Sequence, residues 1–565
     1  MSGNDEQSGT HRRVVILGLD GATWTVLEPW IERGAMPNLA GWLRTAARGV
    51  LRSVEPPVTS AAWTSMSTGA RPGRHGVFDH RWYDPAGGRM RVNHSRRVRV
   101  ETLWETIHRH GGISISLNLP GTYPAPAVRG LIVSGMDAPH LEGALSGCPP
   151  EFAQALKTEC PDYSLKVIWK RPPQSLDELR ARAEETRKLF RARAEGGLLA
   201  DRFRPDWSAL MVQFQNLDPF QHRVWRHLNV DETGLDDPAL NQAAGSVLTA
   251  LDEAVGLLLE LAERRGAAVA MVSDHGFGPC LGRIAVNAIL RDAGIIRFPG
   301  AGRRAVQRLA RPVDLARLWL AKRRDPQARA ASFDTSIPAQ YPFDWNRTLG
   351  FAPHQDTAAM IYLNTSARKV AGVTQSPLNT PRQIDQALAD ITGALSAARH
   401  PETGASLFPV IRSIAEVYNL DPSAEGFPDL VALPDPNYWV RSKLGGDDLA
   451  WVRPDPNLPG THRMEGIVAL GGFGLDPSER LEANLIDVAP TLLTYLNLPL
   501  PSTIEGRSLV KPPAATSRTV VRTDPPREGM IPPPHRVEPT SPSFDHSDDD
   551  QALIEQRLRD LGYLD

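Results

Sequence analysis

Six metal-capable side chains, Asp20, Asp218, His222, Asp274, His275 and His462, and one hydroxyl, Thr59, suggest a shared chemistry. Three carboxylates and three imidazoles without a cysteine suit zinc, with manganese as the alternative, because magnesium and calcium take all-oxygen shells. Six ligands are too many for one catalytic zinc and divide into two sets of three with open positions. A pair of such ions can clamp the attacking and leaving oxygens of a phosphoryl transfer. Each residue alone has a plainer reading. Asp20 can cap the helix that follows it, and Thr59 can do the same for its own. Asp218 and His222 can form an ordinary i,i+4 pair. Asp274 and Gly276 can simply turn the chain, and a lone His462 in a Gly-bounded turn says little. The plain readings lose ground together, because these residues fall beside the ends of predicted core strands. In open α/β sheets that edge is where ligands bind.

The strands follow from apolar runs. Val14–Leu19 ends in Asp20-Gly21, Trp207–Phe214 leads into Asn216 and Asp218, and Ala267–Ser273 stops at Asp274-His275-Gly276. Short continuous apolar runs of this kind are the mark of buried parallel strands. Helical patterns separate them, among them Thr23–Arg33, Ser175–Leu199 and Leu240–Arg265. Alternation of strands and helices places the chain in the α/β class. After a probable strand at Val50–Val54, Glu55-Pro-Pro-Val-Thr-Ser60 holds the chain extended, and a short helix begins just after Thr59. A helix amino terminus favours an anion, so Thr59 is presented where a phosphate would bind. Ser60 is the adjacent competitor.

The chain has 565 residues, with 63 basic and 65 acidic side chains that nearly cancel. Bulk charge therefore argues for neither a nucleic-acid polymer nor a membrane surface as partner, and a small-molecule substrate is expected. Cys148, Cys160 and Cys280 are too sparse for a disulfide framework and fit a reducing compartment. The first ten residues lack the apolar core of a signal peptide, and no run suffices for a membrane span. A cytoplasmic location is expected. An Arg-rich stretch at about 300–343 reads as an insertion, and 511–547 as a Pro-rich disordered tail. Residues 548–565 read as a helix that docks back on the body.

Taken in order, the motifs resemble the alkaline phosphatase superfamily in its type I phosphodiesterase/nucleotide pyrophosphatase branch. They are Gly18-Leu-Asp20-Gly, Pro56-Pro-Val-Thr59 with Thr68-Gly69, Pro72-Gly-Arg-His75-Gly, Asp218-Pro-Phe-Gln-His222, Ser273-Asp274-His275-Gly-Phe, Gly460-Thr-His462, and Asp487-Val-Ala-Pro-Thr491 with Ile504-Glu-Gly506. No single piece is specific; the ordered set, spanning about residues 14 to 510, is. The resemblance implies a three-layer α/β/α sandwich around a mostly parallel sheet, with one catalytic domain over 12–510. It implies hydrolysis of phosphoric esters, phosphodiesters or nucleotide pyrophosphates, through a phosphothreonine on a two-zinc site. Asp218, His222 and His462 would hold one zinc. Asp20, Asp274 and His275 would hold the other, with the Thr59 oxygen as fourth ligand. The family nucleophile stands ten residues before the Gly of the Thr-Gly pair, which selects Thr59 over Ser60. The Asp218 to Trp225 pattern and the Arg557–Leu564 ending resemble a bacterial subgroup of predicted phosphohydrolases and phosphomutases.

One position departs from the pattern. Related phosphodiesterases carry an Asn twenty-one residues after the nucleophile that contacts a phosphate oxygen; here it is His80. A protonated His80 would favour a monoester dianion, so monoester turnover is expected to gain as pH falls toward 6. Trp63, on the first turn of the Thr59 helix, is expected to offer an apolar face to an organic ester group. Phosphomonoesterase and phosphomutase activities are the alternatives on the same site. A sulfatase is discounted for want of a Cys/Ser-x-Pro-x-Arg setting around Thr59, and a non-catalytic binding protein because no ligand has been lost.

Overall fold

The computed structural model of the chain describes residues 12–84, 88–299, 341, 343–353, 356–368, 376–418, 420, 426–442, 444, 451–512 and 546–564. The expected Pro-rich tail and almost all of the expected Arg-rich insertion lie outside the described residues.

A central sheet of eight strands organises the fold. Its spatial order is Arg480–Asn484, Ala46–Arg52, Glu465–Gly471, Ala268–Val272, Val14–Leu19, Ala209–Phe214, Ser114–Leu119 and Gly130–Ser134. Five of the seven pairings are parallel, and only Glu465–Gly471 runs against its two neighbours. The strand alternation explains the layers. Val15, Leu17 and Leu19 enter one core with Leu199, Phe220, Leu248 and Leu251. Those partners come from the helices Leu176–Phe203, Leu217–Leu228 and Pro238–Arg265. Val14 and Ile16 enter the opposite core with Ala62, Trp63, Trp104 and Leu492, from the helices Thr59–Thr68, Leu103–Arg109 and Val488–Tyr495. The sheet is thus covered on both faces, which is why the strands Val14–Leu19, Ala268–Val272 and Ala209–Phe214 are buried at every position and almost wholly apolar, Gln213 being the polar exception. Each fully buried Leu or Val contributes roughly 1.5–3 kcal/mol through burial.

A second lobe has its own core around an antiparallel sheet of Gly350–Phe351, Ala359–Leu363, Leu430–Leu433 and Val410–Ser413. Two local readings shift. The strand expected at Val50–Val54 is Ala46–Arg52, its start hidden in a sequence without β-branched residues. His462 lies in a short strand, Gly460–Arg463, rather than a free turn; it pairs antiparallel with Gly276–Pro279 and stands opposite Phe277. Glycine makes the adjoining approach of Glu465–Gly471 feasible, since a Cβ on Gly276 would meet the Glu465 carbonyl oxygen at 1.9 Å.

The helix Asp548–Leu561 begins with three aspartates and a Ser547 side chain that accepts from the Asp550 amide, and ends at Gly562 with φ +99°. Its stripe of Ile554, Leu558 and Leu561 is buried against Val92, Met136 and Trp439. Arg557 donates to the carbonyls of Met136, Ala138 and Pro139, and Arg223 donates to that of Leu561.

Candidate metal and phosphoryl-transfer site

The structure brings the seven expected residues to one sealed cluster at the carboxyl edge of the central strands. Asp20, Thr59, Asp218, His222, Asp274 and His275 are wholly buried, and His462 is 3% exposed. Asp20 directly follows its strand, and its Oδ2 accepts from the Trp63 indole N–H at 3.0 Å and from Gln213 Nε2. The Gly21 amide donates to Asp274 Oδ1 at 3.0 Å, tying the ends of two adjacent strands together. Asp218 and His222 lie one turn apart on Leu217–Leu228, with His222 Nε2 3.5 Å from Asp218 Oδ1.

The three imidazoles are oriented alike. Nδ1 of His222 is 2.8 Å from the Gly460 carbonyl oxygen, that of His462 is 2.9 Å from Pro57 O, and that of His275 is 3.1 Å from Gly276 O. A carbonyl can only accept, so each neutral ring carries its proton on Nδ1 and turns a bare Nε2 lone pair inward. Yet His222 Nε2 and His462 Nε2 face each other at 3.0 Å. Two lone pairs at that distance repel unless a metal cation sits with them or a proton occupies His462 Nε2, which also lies 3.1 Å from Asp218 Oδ1. The carboxylates pose the same problem. Among the described residues Asp20 Oδ1 and Asp274 Oδ2 accept no hydrogen bond. Burial, then the charges of Asp274 and Asp218, pushes Asp20 well above the usual carboxylate range. Burial likewise pushes Asp274 up to about 8. Donor types, tautomers and unspent oxygens all fit divalent metal.

Ligand atoms of Asp20, Asp274 and His275 lie within 4.8 Å of one another, as do those of Asp218, His275 and His462. His275 thus stands between the two expected sets, 3.3 Å from Asp274 Oδ2 and 4.0 Å from Asp218 Oδ1. Thr59 is the first residue of its helix, and its Oγ1 is 3.5 Å from His275 Nε2. Ser60 points elsewhere, its Oγ 2.7 Å from His80 Nδ1.

Two expectations about neighbours change. Trp63 is fully buried with its indole on Asp20, so no apolar face is open to an ester group. Burial lowers His80 to about 4, which works against the protonation expected as pH falls toward 6. Two further residues that the sequence reading did not single out lie in the cluster or beside it. Tyr563 donates to Asp218 Oδ2 at 2.6 Å, lies 3.3 Å from Thr59 Oγ1, and stacks on His80 with ring centroids 4.5 Å apart. Asp356, from the second lobe, has its Oδ2 3.9 Å from His80 Nε2. The signal for Tyr563 was its place just past the Gly562 helix stop.

Comparison with known proteins settles the family. The model of type I phosphodiesterase / nucleotide pyrophosphatase matches residues 14–467. The chain belongs to that family. Its members are metal-dependent phosphoester hydrolases. No curated protein matches the sequence. Among solved structures, the chain is similar to phosphonoacetate hydrolase from Sinorhizobium meliloti 1021 in complex with phosphonoformate. That likeness has 16% identity, covers 86% of this chain and 96% of that one, and has a TM-score of 0.50, which shows the fold. Human ectonucleotide pyrophosphatase / phosphodiesterase 5 is also similar, at 13% identity, 88% and 97% coverage and a TM-score of 0.46. As a member of the type I phosphodiesterase family the chain is an enzyme acting on phosphoric esters. Among the described residues no helix is long and apolar enough to cross a membrane.

Proposed function

We propose that this family member hydrolyses phosphodiesters or nucleotide pyrophosphates through a phosphothreonine on Thr59, with two zinc ions as cofactor. The observation that carries the reading is the 3.0 Å approach of His222 Nε2 and His462 Nε2, in the same cluster as the Thr59 hydroxyl. Asp218, His222 and His462 would hold one ion, and Asp20, Asp274 and His275 the other. When bound, such ions lower the pKa of a hydroxyl and stabilise charge on a departing oxygen. No side-chain general base is then required of this chain.

In the first displacement a bond forms from Thr59 Oγ to phosphorus as the ester P–O bond breaks; the hydroxyl proton passes to solvent, and the leaving group departs with its oxygen and is protonated there. In the second a water oxygen attacks phosphorus, the Thr59 Oγ–P bond breaks, a proton of that water restores the Thr59 hydroxyl, and phosphate or a monoester is released. Asp20 is fixed for this by Trp63 and Gln213, and Asp218 by Tyr563. Burial of the cluster excludes water other than the reacting one, which strengthens every charge interaction within it. The test is an assay of purified, zinc-loaded protein on matched phosphomonoesters, phosphodiesters and nucleotide pyrophosphates, with metal content measured on the same sample. Hydrolysis by metal-free protein, or no hydrolysis of any of the three by loaded protein, would sink the proposal.

A further inference from the structure

Beside the nucleophile lies a second group of ligand-type side chains, and it has no part in the chemistry above. Ligand atoms of Asp79, His80 and Asp356 fall within 4.8 Å of one another, and all three residues are at least 95% buried, at 5%, 3% and 0% exposure. They come from two parts of the fold. Asp79 and His80 precede the hairpin of Arg81–Asp84 and Arg89–Val92, whereas Asp356 precedes the second-lobe strand Ala359–Leu363.

Two polar atoms that face each other here, on His80 and Asp356, are unspent. His80 Nδ1 is engaged by Ser60 Oγ, which leaves Nε2 as the free ring atom. Asp356 Oδ1 accepts from the Thr357 amide at 2.7 Å, which leaves Oδ2. Among the described residues neither His80 Nε2 nor Asp356 Oδ2 has a hydrogen-bond partner. Their separation is 3.9 Å, too long for a hydrogen bond. Two ligand atoms each about 2 Å from one tetrahedral zinc lie roughly 3.3 Å apart, so a small closing movement of the two side chains brings both onto one ion. Asp79 adds a second carboxylate; its Oδ1 accepts from the His80 amide. Arg81 is the cation closest in sequence, and its Nη2 is directed to the Pro353 carbonyl at 3.3 Å. Leaving a buried carboxylate and an imidazole unpaired is costly, and a shared cation removes both costs.

We infer that Asp79, His80 and Asp356 form a third divalent-cation site, of the zinc or manganese kind, beside the Thr59 nucleophile. Two carboxylates and one imidazole give the mixed oxygen and nitrogen set those metals accept, with room for an exogenous ligand. The site is one contact from the reaction centre by two routes. His80 touches Ser60, the neighbour of Thr59, and its ring lies on Tyr563, whose hydroxyl is 3.3 Å from Thr59 Oγ1. A cation held there would meet the additional anionic oxygen that a phosphomonoester carries and a diester lacks. The site would also join the second lobe to the central sheet. This role in selectivity rests on the reading of Thr59 as nucleophile; the ion count does not.

The experiment is elemental analysis of the full chain after saturation with Zn2+ or Mn2+ and removal of free ion, in wild type, Asp356→Asn, His80→Asn and Asp218→Asn. Melting curves accompany each variant, and two independent substitutions guard against one that fails to fold. Three ions per chain in wild type are expected, falling to two in both Asp356→Asn and His80→Asn. The ratio of kcat/KM for an aryl phosphomonoester to that for the matched diester should then drop tenfold or more in both variants. Two ions in wild type that persist in Asp356→Asn and His80→Asn but fall in Asp218→Asn would overturn this inference and leave the two-ion reading standing. No bound ion in active wild type would overturn both.

Discussion

Thr59 and Ser60 are adjacent hydroxyls with different surroundings, and that difference is the sharpest test at the scale of single residues. Thr59 Oγ1 faces His275 and Tyr563 inside the cluster, whereas Ser60 Oγ is bound by His80 outside it. Thr59→Ala should lower kcat by about 10³-fold or more, as loss of a covalent nucleophile does. It should keep its metal, because three protein ligands remain at that ion. Single-turnover assays with metal analysis will show this, and normal turnover in Thr59→Ala would refute the assignment. Trp63 is a second residue with a definite expectation. Its indole N–H is one of two donors that hold Asp20 Oδ2. Trp63→Phe keeps an aromatic ring in the core but removes that donor, so affinity for metal should fall about 10–100-fold in chelator competition. A change in KM for bulky esters with metal affinity intact would instead restore the role first expected for its apolar face.

Among the elements, the terminal helix Asp548–Leu561 matters most, because it ends one residue short of Tyr563. Its position is set by apolar burial of Ile554, Leu558 and Leu561 and by the Arg557 fork on the 136–139 carbonyls. The phenol takes Asp218 Oδ2, which leaves Oδ1 as the oxygen facing His222 and His462. Tyr563→Phe should therefore weaken metal binding about 10–100-fold, with the melting temperature little changed. Leu558→Ala acts through the helix instead. A fully buried Leu truncated to Ala costs about 2–5 kcal/mol, here paid first as undocking of the helix. Hydrogen exchange should then rise across 548–561 ahead of the central strands. Equal protection of the helix in both proteins would mean that it is held by more than this stripe.

At the scale of the whole molecule, buried neutral histidines pull stability down in acid, against buried carboxylates such as Asp274 whose raised pKa works the other way. Burial and then Arg99 lower His75 to about 3, and burial first, with His546 and nearby arginines, lowers His94 to about 3. His75 shows why: its Nδ1 accepts from the Val77 amide and its Nε2 lies 2.8 Å from Ser65 Oγ, a neutral arrangement with no room for a second proton. Above about pH 6.5 neither the folded nor the unfolded histidine is charged, so these groups add no pH dependence. As pH falls from 6.5 toward 3 the unfolded chain takes up protons that the folded chain refuses, and stability is lost. Between pH 6.5 and 4.5 the melting temperature of His75→Gln should therefore hold up better, relative to its own value at pH 7, than that of wild type. An unchanged slope in that variant would assign the acid sensitivity to other groups.

The sequence by itself determined the strand ends and the chemistry they carry. Val14–Leu19, Trp207–Phe214 and Ala267–Ser273 are apolar runs cut off near Asp20, Asp218 and Asp274, and both patterns are local, so they survive in one dimension. Local order also made the terminal helix legible, through its Ser547 start, acidic first turn and Gly562 stop. Tertiary structure alone decided which atoms face which. Tyr563 meets Asp218 across 345 residues, and Asp356 approaches His80 from another lobe; neither pairing leaves a periodicity or a spacing to read. Burial was equally invisible. Trp63 at a helix start looks like a surface for substrate until the sheet packs over it, and His80 looks titratable until its neighbours exclude water. Both reversals have one cause: the free energy of a polar or charged group depends on the solvent that distant segments remove from it.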